Sequence, residues 1–223
     1  MNKAMNGKIQ KKQNENGFTL VELMVAMAIS AIVMASIGYL HYSQQKSYVA
    51  QEQIAAMQQN IRAAMYYMER EIRMAGCDPT QNANAGIQNA GPNTIHFTLD
   101  ITDDTDTGPP DGDTGDANED ITYILTDNDG DGVNDCLERN GQLIAENIDA
   151  LDFVYLDSNG VPTATISDIR SVQITIVART GKGDPGFTNN ISYPNQQGTT
   201  IYPAQGDNNR RRRLTTTITC RNL

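Results

Sequence analysis

The sequence predicts an α+β protein: a long N-terminal α-helix, membrane-spanning in its first half and amphipathic in its second, packed on a C-terminal antiparallel β-sheet domain. Three observations carry this. Residues 18–40 hold a single charged side chain, Glu22, in an otherwise apolar run. No Pro or Gly interrupts residues 43–75, where the good helix formers Ala, Gln, Glu, Arg and Met dominate. Beyond Gly76 the chain breaks into short alternating or β-branched runs bounded by Gly, Asn, Asp or Pro.

The apolar run is 23 residues long, about 35 Å as a helix at 1.5 Å per residue, which spans a bilayer core of about 30 Å. Lys3, Lys8, Lys11 and Lys12 precede it, so the positive flank predicts a cytoplasmic N-terminus and a C-terminal bulk across the membrane. A secretory signal peptide has a shorter apolar run and a cleavage site after it. Here the run is longer, and the distinctive Gly17-Phe18 junction lies before it. An ordinary uncleaved anchor leaves Glu22 without a reason, because an unpaired carboxylate in hydrocarbon is costly.

In the second half, Ile54, Met57, Ile61, Met65, Met68 and Ile72 recur at steps of three and four, giving one apolar stripe. The stripe predicts packing on the protein's own sheet rather than a coiled-coil seam. Gly76, with Pro79 close behind, is expected to end the helix. The strand-like runs that follow are NTIHFTLDI, DITYILTD, QLIAENIDALDFVYLD, DIRSVQITIVART and RLTTTITCRNL. VQITIVA alternates well enough to bury one face of a twisted sheet. Residues 80–118 and 181–209 are rich in Gly, Asn, Asp, Thr and Pro and read as loops.

The 223-residue chain carries a net charge of −10, and no Lys or Arg occurs between Met74 and Glu138. Nucleic-acid binding through a basic surface is not expected. Arg210 to Arg213 form the one basic run, read as a strand start paired with the excess acid. Neither His41 nor His96 has a recognisable catalytic partner, no Ser/His/Asp or Cys/His arrangement is visible, and no enzyme activity is expected. Cys77, Cys136 and Cys220 permit one bridge with a thiol left over. An oxidising compartment would allow it; Cys136 and Cys220, expected on neighbouring strands, are the favoured pair, although spacing alone does not fix the connectivity.

DNDGDGVNDCLE, residues 127–138, meets the spacing D-x-[DN]-x-[DN]-G-x5-E of an EF-hand calcium loop. Calcium takes six to eight oxygens. The side chains of Asp127, Asp129, Asp131, Asp135 and Glu138, with the carbonyl of Val133, are the expected ligands, and Gly132 holds the sharp-turn position. The strand-like flank argues against a helical EF-hand pair. An Asp/Gly-rich solvated turn is the competing reading.

GFTLVELMVAMAI resembles the class III signal of type IV pilins and type II secretion pseudopilins. The resemblance implies the pilin fold, cleavage after Gly17 by a prepilin peptidase, N-methylation of Phe18, and a role for Glu22, the fifth residue of the mature chain, in subunit assembly. Removing residues 1–17 would take away four lysines and Glu15, leaving 13 basic and 26 acidic side chains, net −13. Gln51-Glu52, Arg62 and the ending Glu71-Ile72-Arg73-Met74-Ala75-Gly76 are similar to minor pilins of the PilW type, as are the ENIDALDFVYLDSNG segment and the terminal RNL. J-type pseudopilins share the plan but match this stretch less well. Many major pilins kink the helix with a proline, and none occurs between Phe18 and Tyr48.

The organisation expected is a leader over 1–17, a spanning segment over 18–40, an amphipathic helix over 41–76, and a periplasmic β-rich head over 77–223. The function expected is that of a minor type IV pilin that helps to initiate assembly. Its partners would be other minor and major pilins, the prepilin peptidase and the inner-membrane assembly machinery. A J-type pseudopilin and a membrane-anchored calcium-binding adhesin are the rival readings.

Overall fold

The computed structural model describes residues 17–103, 105, 107–128, 130 and 132–223. The leader expected over 1–17 lies outside the described residues except for Gly17, as do the expected ligands Asp129 and Asp131. Two compact units divide the chain, one ending at Tyr48 and the other running over Val49–Leu223.

Among the described residues one α-helix, α1, runs over Leu20–Ile72. It starts two residues after Phe18, because Thr19 serves as its N-terminal cap. Its regular pattern stops short of Ala75: the Met74 and Ala75 N–H groups donate to Glu71 and Ile72 at 2.9 and 3.2 Å, a tighter final turn. Gly76 then adopts φ +78° and donates its N–H to the Thr98 carbonyl. A Cβ there would stand 2.5 Å from Leu223 Cδ2 and 3.1 Å from the Asn222 carbonyl oxygen. Gly76→Ala should therefore destabilise the protein by at least about 1–2 kcal/mol, the cost of a left-handed residue with a side chain. Chemical denaturation of the full chain in micelles measures this; an unchanged midpoint would contradict it.

In the second unit, Met57, Ile61, Met65, Met68 and Ile72 of the predicted stripe are buried, with Ala64 between them, and Ile54 is half-buried against the core. They share one hydrophobic cluster with Ile95, Phe97, Ile121, Tyr123 and Leu137, and with Phe153, Val172, Ile174 and Ile176. The stripe is spent inside its own domain.

Among the described residues the strands form three antiparallel sheets, where the sequence suggests one. β1 (Ile87–Ala90), β2 (Thr94–Thr98), β3 (Asp120–Thr126), β4 (Cys136–Arg139) and β5 (Gln142–Ala145) make a five-stranded meander. β6 (Ile148–Leu156), β7 (Ser171–Arg179) and β10 (Arg211–Thr219) form a second sheet in the order β10-β7-β6. β8 (Tyr193–Pro194) and β9 (Thr200–Tyr202) form a small third. The division falls inside QLIAENIDALDFVYLD: Asn147 takes φ +60° and its carbonyl accepts the Arg179 N–H at 2.9 Å, so β6 turns away to pair with β7.

Candidate functional site

Residues 18–40 expose an apolar surface in which Glu22 is the one charged side chain. Phe18 is 90 % exposed, and Leu20, Met24, Met27, Ile32 and Met34 all exceed 60 %. A helix hydrophobic all round and packed on nothing within its unit is built for lipid or for other helices. Its small polar groups suit that setting. Ser30 and Ser36 donate their hydroxyls to the Ala26 and Ile32 carbonyls at 2.7 and 2.8 Å, so neither needs water.

Glu22 sits in the first turn of α1, and Thr19 engages it reciprocally. The Thr19 N–H and hydroxyl donate to Glu22 Oε2 at 2.9 and 2.8 Å, while the Glu22 N–H donates to Thr19 Oγ1 at 3.2 Å. This is a capping box, which satisfies backbone donors that would otherwise point into an apolar medium. The signal T-L-V-E before an apolar run is legible in the sequence, but the sequence reading gave Thr19 no role. Phe18 and Gly17 lie immediately before the cap, exposed and outside the helix.

In the loop over 127–138, Asp127 organises the turn: its Oδ1 accepts the Gly130 N–H and its Oδ2 the Gly132 N–H, each at 2.9 Å. Gly132, at φ +88°, holds the sharp turn expected of it. The other positions point to different duties. Asp135 is buried and its Oδ2 pairs with the Arg179 guanidinium, so its carboxylate is anchored to β7. The Val133 carbonyl accepts the Asp135 N–H at 3.0 Å. Glu138 lies within β4, opposite Ile124 and Leu143.

The arginine run is structural in part. Arg210 pairs with Asp184 at 2.8 Å and stacks on Phe187 at 4.2 Å. Arg211 turns inward, its side chain 2 % exposed, and binds Asp149 and Asp207. Arg212 and Arg213 remain exposed.

No disulfide joins Cys136 to Cys220, and the Cys77 and Cys220 thiols are free. Cys136 opens β4 opposite Thr126, whereas Cys220 follows Thr219, which pairs with Ser171 of β7. Cys136 lies in the five-stranded sheet and Cys220 just past the end of β10 in another sheet, so they are not the strand neighbours that the pairing assumed. Burial pushes the Cys220 thiol up to about 11. His96 reaches Asp120 Oδ1 at 2.6 Å on the sheet surface, and His41 is exposed.

The acidic loop after β2 is ordered by its own carboxylates. Asp103 Oδ1 accepts the Thr105 hydroxyl at 2.7 Å and the Gly108 and Thr105 N–H groups at 3.0 and 3.1 Å. The Thr105 hydroxyl first, then the Gly108 N–H, hold the Asp103 carboxyl down from 3.8 to about 2. The charged form is thus favoured in the folded loop. The contribution is complete above pH about 4 and is lost as pH falls through about 2. The Gly108 amide resonance should shift in that window; a shift centred near pH 4 would contradict the assignment.

Three comparisons bear on this arrangement. The model of the prokaryotic N-terminal methylation motif matches residues 12–38, across the Gly17-Phe18 junction, the capping box and most of the apolar run. A comparison with curated proteins finds no match. Among solved structures, a type IV-like pilin from Thermus thermophilus is similar at a TM-score of 0.50 and 13 % identity, over 74 % of this chain and 97 % of that one. At this identity the likeness establishes a shared fold: one long N-terminal helix with a C-terminal antiparallel domain. The chain thus carries a prokaryotic N-terminal methylation motif at the head of its long helix and shares its fold with a type IV-like pilin.

Proposed function

We propose that the chain is a minor type IV pilin of the PilW type, cut after Gly17 and methylated on Phe18, which helps to start a pilus. Before assembly, residues 18–40 hold it in the inner membrane, with the C-terminal domain in the periplasm. On assembly, the assembly machinery extracts this segment, which then packs among the helices of other minor and major subunits. The observation that carries the reading is the exposed apolar helix headed by Glu22 inside a methylation motif. It is the form expected of a segment that must be stable first in lipid and then among neighbouring helices. The PilW-type match over residues 51–76 and the lack of proline between Phe18 and Tyr48 favour a minor subunit over the major one.

Deleting the protein from its host should reduce surface pili and leave type II secretion intact. Loss of secreted enzymes with normal piliation would overturn the assignment in favour of the J-type pseudopilin. We also propose calcium at the 127–138 loop, through Asp127, Asp129, Asp131, the Val133 carbonyl and Glu138, with Asp135 as a buttress tied to Arg179. The support is the EF-hand spacing and the turn that Asp127 already holds. Asp127→Asn should remove any calcium uptake by this loop.

A further inference from the structure

We propose that the open edge of β10 takes up an extended, acidic segment of a partner protein as an added strand, beside α1. β10 stands at the end of its sheet, in the order β10-β7-β6. It pairs with β7 over Arg211–Thr219 without a bulge. In an antiparallel ladder, successive residues turn their backbone groups to opposite sides. The Thr180 N–H donates to the Arg210 carbonyl and the Cys220 N–H to the Arg170 carbonyl, each at 2.9 Å, so the even-numbered residues from 210 to 220 face β7. The N–H and C=O groups of Arg213, Thr215 and Thr217 therefore face away from it. Among the described residues they have no hydrogen-bond partner.

The opposite edge of the same sheet is covered. The Phe153 N–H of β6 donates to the Pro92 carbonyl at 2.7 Å, and the Tyr155 carbonyl accepts the Thr163 N–H at 2.9 Å. Proteins commonly blunt an open edge with a bulge, a proline or a charge. From Leu214 to Thr219 the run LTTTIT has none of these. Its backbone is presented in the form that strand addition uses.

The surroundings of the edge select the side chains of the added strand. Between β10 and α1 lies a groove of about 220 Å³, lined by Arg62, Met65, Tyr66 and Glu69 of the helix and by Leu214 to Thr216. Every second side chain of an added strand would point to the groove side, and small or apolar ones suit it. Tyr66, 64 % exposed, offers them an aromatic wall. Arg212 and Arg213 are exposed at the start of the edge, and among the described residues neither they nor Arg62 pairs with a carboxylate. Arg213 gives one N–H to the Pro194 carbonyl at 2.7 Å, which leaves its charge unmatched. In a chain of 27 acidic and 17 basic side chains, this is a local excess of positive charge. Carboxylates on the partner complement it. The β10 of a second copy would bring further arginines and no acid.

The edge is open whatever assembly the chain serves, and its test needs none. A dye-labelled peptide of alternating Thr and Val, ending in a pair of Asp, is titrated into the full chain in detergent micelles. Fluorescence anisotropy reads binding, and amide hydrogen exchange reads its place. Without peptide, the Thr215 and Thr217 amides should exchange fast and those of Thr216 and Ile218 slowly. With peptide, the first two should slow about tenfold or more. Thr215→Pro removes a donor that the sheet does not use. It should melt near the parent temperature and bind the peptide at least about tenfold more weakly. Arg212→Glu should weaken binding about threefold or more at low salt. Absence of binding, equal binding by Thr215→Pro, or unchanged exchange at Thr215 and Thr217 would overturn the proposal. The exchange result decides the matter even if Thr215→Pro fails to fold. Self-association of the chain without peptide, lost in Thr215→Pro, would put a second copy at the edge and overturn the acidic partner.

Discussion

Glu22→Ala should leave the chain in the membrane and remove it from filaments. In lipid the carboxylate is a burden of up to about 2.5–3.5 kcal/mol on insertion scales, so the variant should insert at least as well. Thr19 offsets part of that burden by capping, with two donors on Glu22 Oε2. In a filament, we propose, Glu22 meets a second partner, the positive amine that cleavage would expose on Phe18 of a neighbouring subunit, as the resemblance to type IV pilins implies. Breaking a buried pair by removing one partner costs about 3–5 kcal/mol, and each 1.4 kcal/mol is about tenfold. Incorporation should then fall by about a hundredfold or more. Glu22→Gln separates the two roles, since it can still accept from Thr19 but carries no charge. It should fail in the filament as Ala does. The ratio of the chain in sheared filaments to that in membranes measures both, and near-normal incorporation of Gln would assign Glu22 to capping alone.

Asp149→Ala should cost the folded domain about 3–5 kcal/mol, a large share of the about 5–15 kcal/mol that holds a typical domain together. Asp149, its side chain 6 % exposed, accepts from Arg179 Nη1 at 3.0 Å and from Arg211 Nε. It thereby ties β6 to β7 and β10, the three strands of the second sheet. Arg179 also holds Asp135, and Arg211 also holds Asp207. Removing Asp149 leaves two guanidinium groups in a confined space with one carboxylate fewer. The Arg211 side chain, 2 % exposed, cannot simply turn to water. Urea denaturation of the full chain in micelles gives the loss directly. A cost under about 1 kcal/mol would mean that the network behaves as a surface pair.

The helix was legible because its signals are local. An apolar run of spanning length, a stripe repeating at three and four, and a glycine at the end each need only neighbouring residues, and α1 follows them to within a few positions. The predicted strands also formed, but their grouping did not follow, because the break between two sheets turns on Asn147 and on its bond to the Arg179 N–H. β1, β8 and β9 hid in segments whose composition reads as loop, and partners across the sheet made them strands. Four consecutive arginines cannot announce which one turns inward, for Arg211 finds Asp149 across the second sheet. The calcium spacing was plain, yet nothing local could reveal that Asp135 serves Arg179. The full burial of Asp100 and Glu119 is a tertiary fact that no local pattern announces.

The central claim is that residues 18–40 form a processed assembly helix and not a permanent anchor. Mass spectrometry of the chain recovered from sheared surface filaments tests it most directly. The account predicts a mature chain that begins at N-methylated Phe18 and is present in the filament fraction. Recovery only in the membrane fraction, with the Gly17-Phe18 bond intact, would contradict it.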